Sequence, residues 1–165
     1  MKKLTFIFIL IISLSNLFGQ DKRTPEADYL VEFTSKLNNT QKRLTYLNKK
    51  SAMAKVGTET INGLISGTLF YDVKIKGMGA TVTMHYENFC EEDEWIFNGD
   101  IITKSNMSQN GTFTGTIIVS GVSEGSICYD NVTLKDGKPG SGTYGVKLKD
   151  GETVSVPYTY FFETE

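Results

Sequence analysis

A chain of 165 residues with 17 Lys and Arg against 19 Asp and Glu carries a formal charge of −2, so nothing electrostatic draws it to nucleic acid, which needs clustered cations. Its length suits one domain large enough to bury its own core, and two cysteines permit at most one internal disulfide. A single histidine, His85, would have to serve any histidine-based chemistry.

Residues 1–20 open with Lys2 and Lys3, run apolar from Leu4 to Leu17 and reach small and polar residues at Gly19 and Gln20. This is the layout of a secretory signal peptide, and the apolar run is too short to favour a membrane span. No cysteine lies near Gly19 to accept a lipid. The mature chain is therefore expected to be secreted or periplasmic, with no transmembrane span. Removing Lys2 and Lys3 and no acid takes the formal charge from −2 to −4.

Residues 21–60 are expected to form a helical segment. Thr24 is a suitable N-cap, Pro25 suits the first helical position, and Glu26 and Asp28 place acids in the first turn. Leu30, Phe33, Leu37, Leu44 and Leu47 recur at helical spacing, so one stripe is apolar and should pack on a core. The segment is one helix, or two broken near Asn38-Asn39-Thr40.

Residues 61–165 read as an antiparallel β-domain. Apolar residues alternate at Tyr71, Val73 and Ile75, at Val82, Met84 and Tyr86, at Tyr144, Val146 and Leu148, and from Val154 to Phe162. Gly77-Met78-Gly79, Asn98-Gly99, Asn110-Gly111, Asp136-Gly137 and Asp150-Gly151 supply turn chemistry between the runs. Connections this short exclude crossover helices. The strands are expected at 64–76, 80–90, 95–104, 111–121, 125–135, 142–149 and 153–163. The fold class is mainly β: an antiparallel meander forming a curled sheet, incomplete barrel or sandwich, with the N-terminal helical segment packed on it.

His85-Tyr86-Glu87-Asn88-Phe89-Cys90 and Cys128-Tyr129-Asp130-Asn131-Val132-Thr133 share a Tyr-acid-Asn-apolar core, each preceded by a Gly-Thr pair, at Gly67-Thr68 and Gly115-Thr116. They read as a duplicated β-hairpin unit of structural origin. The export context permits a Cys90–Cys128 disulfide, which would stabilise the fold by roughly 3–4 kcal/mol. On regular strands, however, Cys90 shares the face of its tyrosine and Cys128 takes the opposite one.

No constellation specifies catalysis, and none calls for a cofactor. His85 and Cys90 lie five apart on one strand, hence on opposite faces, which argues against a Cys-His nucleophile. His85, Glu87 and the run Glu91 to Glu94 lack the paired Cys or His ligands of zinc and the loop spacing of calcium. Gly140-Ser141-Gly142-Thr143-Tyr144-Gly145 matches a dinucleotide fingerprint, but a period-two strand follows where a helix is required. A carboxylate-only hydrolase would need two of Glu87, Asp93, Asp100 and Asp130 to converge. Four Asn-x-Ser/Thr sequons, at Asn38, Asn106, Asn110 and Asn131, are read as accidental in a bacterial chain.

Trp95, Tyr144, Tyr158 and Tyr160 are the candidate ligand-binding residues, since aromatic rings on a sheet can stack on sugars or grip an apolar molecule, although most sit at core-facing parity. The run from Gly111 to Gly121 and the following Cys128 to Tyr144 resemble the strand-and-turn repeats of uncharacterised bacterial envelope and secreted proteins. The order of signal, helix and continuous sheet is also similar to half-barrel periplasmic lipoprotein carriers. The expectation is an exported, non-catalytic β-domain with a binding or interaction role, its partner an unknown protein, a glycan or an apolar ligand. The alternative is a periplasmic carrier of a lipid or other apolar ligand held between helix and sheet, its cavity lined by residues such as Leu30, Phe33, Val82, Met84 and Tyr160.

Overall fold

A computed structural model describes residues 24–50, 56–92, 94–106, 110–135, 138–139 and 141–157. Residues 1–20, read above as a signal peptide, Asp93, Asp136 and Gly137, and Tyr158 and Tyr160 lie outside the described residues.

The helix α1 (Pro25–Lys50) starts where the sequence places it. Thr24 Oγ1 accepts the Ala27 N–H at 3.3 Å and the Thr24 carbonyl accepts the Asp28 N–H at 3.1 Å, so cap and first turn are closed. The helix continues through Asn38-Asn39-Thr40 without a break. Among the described residues, no helix is long and apolar enough to cross a membrane.

Among the described residues nine strands follow: β1 (Gly57–Asn62), β2 (Ser66–Lys76), β3 (Gly79–Cys90), β4 (Trp95–Asn106), β5 (Gly111–Gly121), β6 (Gly125–Lys135), β7 (Lys138–Pro139), β8 (Thr143–Leu148) and β9 (Thr153–Pro157). They form one sheet in the order β1-β2-β3-β4-β5-β6-β8-β9, with β7 a short branch on β6, and every pairing is antiparallel. The sheet is not closed, which decides between the architectures the alternation left open: it is a single meander and not a sandwich. Two strands depart from the expectation. β1 begins at Gly57, inside the segment read as helical, because Ile61 alone of its six residues is buried and an edge strand of this kind carries no alternation. β7 is too short to leave a pattern.

One face of the sheet is apolar and buried. Leu69, Tyr71 and Val73 on β2, Val82, Met84 and Tyr86 on β3, Phe97 and Ile101 on β4, Ile117 and Val119 on β5, Ile127 on β6 and Val146 on β8 form one continuous core with Leu30, Phe33 and Leu37 of the helix. The helix lies against β8 and β9 and reaches the central strands through its rings. Phe33 meets Phe97 edge to face at 5.8 Å, and Tyr29 stacks on Trp95 at 5.7 Å. Fully burying one such side chain stabilises by roughly 1.5–3 kcal/mol, and this is what keeps the helix on the sheet.

The duplicated sequence unit encodes a β-bulge. In β3, Tyr86 pairs Gly99 and Phe89 pairs Phe97, so Glu87 and Asn88 together face the single residue Asn98. In β6, Tyr129 pairs Gly115 and Val132 pairs Phe113, so Asp130 and Asn131 together face Thr114. The extra residue restores inward parity, which is why Tyr86 and Phe89, three apart, both enter the core. Each bulge is preceded by a tyrosine opposite a glycine of positive φ, +119° at Gly99 and +133° at Gly115. A Cβ at Gly99 would stand 2.2 Å from the Thr116 carbonyl oxygen, and one at Gly115 would stand 2.1 Å from that of Asp100. Bulges combined with glycines covered by aromatic rings are the devices that coil a sheet. Gly67 and Gly115 both lie within strands.

Candidate functional site

The expected ligand-binding rings are core residues where they can be located. Trp95, 2% exposed, is enclosed by Tyr29 and Phe97, and Tyr144 packs edge to face on Tyr129 at 5.3 Å. Neither ring is presented to solvent, because both sit at inward parity on their strands. Leu30, Phe33, Val82 and Met84, assigned to the wall of a carrier cavity, are likewise buried in the shared core. The hydroxyls of Tyr86 and Thr103 are among the polar groups of this interior. Tyr86 donates to the Met84 thioether at 3.8 Å, and the side chain of Thr103 is buried between β3 and β5. Burial alone holds the Tyr86 phenol far above its usual range.

The Cys90–Cys128 disulfide is not formed, and both thiols are free. β4 and β5 separate their strands, so three interstrand steps of ~4.8 Å lie between them, beyond the reach of a disulfide. Cys90 follows the β3 bulge and therefore leaves the core face. It is nonetheless sealed, since the loop between β1 and β2 folds over it with the Ile65 N–H on the Cys90 carbonyl at 3.0 Å. Burial first, then the charges of Glu91 and Glu94, push its pKa up against two backbone N–H donors, from Glu94 and Glu92. A thiol so placed is protonated and a poor nucleophile.

On the outer face, pairing puts Phe70, His85, Asp100, Thr116 and Cys128 in one row across five strands. His85 Nδ1 and Asp100 Oδ1 are 2.8 Å apart and both side chains are at least half exposed. Thr116 stands beside the pair and Cys128 one strand further, so His85 has a carboxylate to orient it and no thiol in reach. Glu87, Asp100 and Asp130 occupy three different rungs, and Asp93 lies outside the described residues. Among the described residues, no three His, Cys, Asp or Glu side chains gather around a point that could hold an ion.

The up-and-down order brings the β1–β2, β3–β4, β5–β6 and β8–β9 connections to one end of the sheet. The helix is pinned there. Tyr29 Oη donates to the Ser123 carbonyl at 3.4 Å, Asn39 Nδ2 to Glu92 Oε1 at 2.9 Å, and Lys36 pairs with Glu92 at 3.6 Å. This end also carries large apolar side chains in water: Leu64 is 68% exposed, Ile65 60% and Val122 68%. An open groove of about 360 Å³ runs beside it, floored by Ile118, Ser126 and Leu148 and edged by the Glu124–Lys149 ion pair at 3.0 Å. Sequence reading missed Leu64 and Ile65, having placed them at the start of a strand. The Asn62-Gly63 step before them was the available signal for a loop.

Comparison of the chain with protein-family models, with curated proteins and with solved structures gives no match.

Proposed function

We propose that the chain is an exported, non-catalytic β-domain that acts by surface contact at the cell envelope or outside the cell. One observation carries the reading: Leu30, Phe33, Val82 and Met84, which would have to line an internal ligand site, are packed into the core, while large aliphatic side chains stand in solvent on the loops at one end of the sheet. Isolated exposed apolar residues need no explanation, but adjacent ones on a tethered loop favour contact with a partner.

The carrier reading is supported by a different feature, a helix laid over the inner face of an unclosed sheet, with the Tyr86 and Thr103 hydroxyls on that face. Thermal melting of residues 21–165 against fatty acids, phospholipids and glycans separates the two. A bound apolar ligand at a hundred times its dissociation constant adds about 2.7 kcal/mol and raises the melting point. The surface-contact reading expects no saturable shift with fatty acids or phospholipids, together with sedimentation of the chain with envelope fractions. A saturable fatty-acid shift would replace it with the carrier.

A further inference from the structure

We propose that the outer face of the sheet holds a binding site for a neutral sugar, built from Phe70, His85, Asp100 and Thr116; the inference rests on the surface-contact reading and names its partner class. These residues follow one another across β2, β3, β4 and β5 on a single row. At ~4.8 Å per strand the row is about 14 Å long, a reach that two linked sugar rings cover. The duplicated sequence unit builds it. His85 precedes the bulge tyrosine Tyr86, Asp100 follows Gly99 and Thr116 follows Gly115, and those two glycines let β4 and β5 approach closely where the acid and the hydroxyl stand. A row carried on paired strands is ordered before any ligand arrives, which lowers the entropy lost on binding.

The chemistry of the row selects the occupant. Phe70 is the one exposed Phe, Tyr or Trp ring among the described residues, and it adjoins the His85–Asp100 pair. The bond within that pair uses Nδ1 and Oδ1, which leaves Nε2 of His85 and Oδ2 of Asp100 for a ligand. Neither side chain has another partner among the described residues. A pyranose offers both things this row can use: a C–H face that covers the ring, and neighbouring hydroxyls that donate to the carboxylate and bond the imidazole in place of water. Other ligands fit less well. Glu87 shares this face with no ion pair among the described residues, whereas Asp72 is neutralised by Lys74 at 2.6 Å and Lys104 stands two rungs from Asp100. The field at the row is therefore negative and repels anions. A lipid chain would strip water from the pair and return no hydrogen bond. A small organic cation would need Phe70 and Asp100 together, and His85 lies between them.

The test uses the single histidine as its reporter. The imidazole proton resonance of His85 is followed by NMR while cellobiose, maltose, N,N′-diacetylchitobiose, choline and glucuronate are each titrated into the purified chain. The expected result is a saturable shift with at least one of the three disaccharides and none with choline or glucuronate. Phe70→Ala, which removes the stacking surface, and Asp100→Asn, which removes the charge of the acceptor, are each expected to weaken that binding about tenfold. Ile118→Ser, on the same face but off the row, should leave it unchanged. All three variants should melt close to wild type, since only exposed outer-face side chains are altered. No saturable shift with any of the disaccharides, a saturable shift with choline or glucuronate only, or wild-type affinity in both row variants overturns the proposal. Failure of the sugar titration without a fatty-acid melting shift strikes this site and leaves the surface-contact reading, whereas a fatty-acid shift strikes that reading itself.

Discussion

Asn98 Oδ1 accepts the backbone N–H of Asn88 at 2.8 Å, filling the ladder position that the β3 bulge leaves without a strand partner. The residue that the bulge opposes is therefore also the one that satisfies it. Asn98→Ala is expected to lose about 0.5–1.5 kcal/mol in urea unfolding, while Asn98→Asp, which keeps an acceptor, should stay near wild type. Equal losses in both variants would show that the acceptor is not what stabilises the bulge.

Gly99 and Gly115 should both resist replacement. A methyl group at either meets a carbonyl oxygen of the neighbouring strand, and the backbone lies at positive φ. Gly99→Ala and Gly115→Ala are each expected to cost about 2 kcal/mol or more. Gly77→Ala supplies the comparison: its φ is +62°, nothing lies within 4 Å, and only the conformational cost of roughly 1 kcal/mol should remain. Denaturation midpoints measure the difference, and equal costs at the three sites would remove close strand approach as the cause.

Phe33 is the helix residue on which docking to the sheet depends most, being fully buried and set at 90° on Phe97. Phe33→Ala is expected to destabilise by about 3–5 kcal/mol, and Lys36→Ala, which breaks a partly exposed ion pair with Glu92, by less than about 1 kcal/mol. A large loss from Lys36→Ala in calorimetry would mean that the ion pair, and not the aromatic contact, holds the helix.

The meander was legible because its two faces differ in polarity, so Val82, Met84 and Tyr86 alternate with Thr81, Thr83 and His85. Alternation failed at the bulges. Counting by twos from Tyr86 puts Cys90 on the core face, whereas the extra residue at Asn88 moves Phe89 into the core and Cys90 out of it. The recurrence of Tyr-acid-Asn was visible, but its meaning depends on Gly99 and Gly115, which are remote from it in sequence and adjacent across the sheet. The exposed tip of Leu64 and Ile65 was hidden for a related reason. Two aliphatic residues ahead of an alternating run look like the beginning of a strand, and only the bonds from Gly63, Ile65 and Ser66 define them as a loop.

The two thiols should react very differently. Cys128 is half-buried on the outer face, whereas Cys90 is sealed and its ionisation is opposed by burial and by Glu91 and Glu94. Iodoacetamide at neutral pH is expected to alkylate Cys128 in the folded chain and to reach Cys90 only after unfolding. Peptide mass mapping distinguishes the sites. A folded protein lacking two hydrogens, with neither cysteine alkylated, would instead establish an oxidised pair and require rearrangement of the strands between them.

Alkaline pH should weaken the contact between helix and sheet. Burial, assisted by the charge of Glu32, raises the Tyr29 hydroxyl from its ordinary 10.0 to about 12. Between those values the unfolded chain releases the proton and the folded chain keeps it, so the folded state binds more protons and its stability falls as pH rises. The contribution is fully present below pH 10.0 and is lost progressively as pH rises toward about 12. Cys90 acts in the same direction from its ordinary 9.0 upward, because its pKa too is raised by folding. Melting temperatures are therefore expected to decline from about pH 9. Tyr29→Phe retains the ring on Trp95 and removes the titrating group, so its melting temperature should fall less steeply than wild type above pH 10. Parallel declines for Tyr29→Phe and wild type would assign the alkaline loss to groups other than Tyr29.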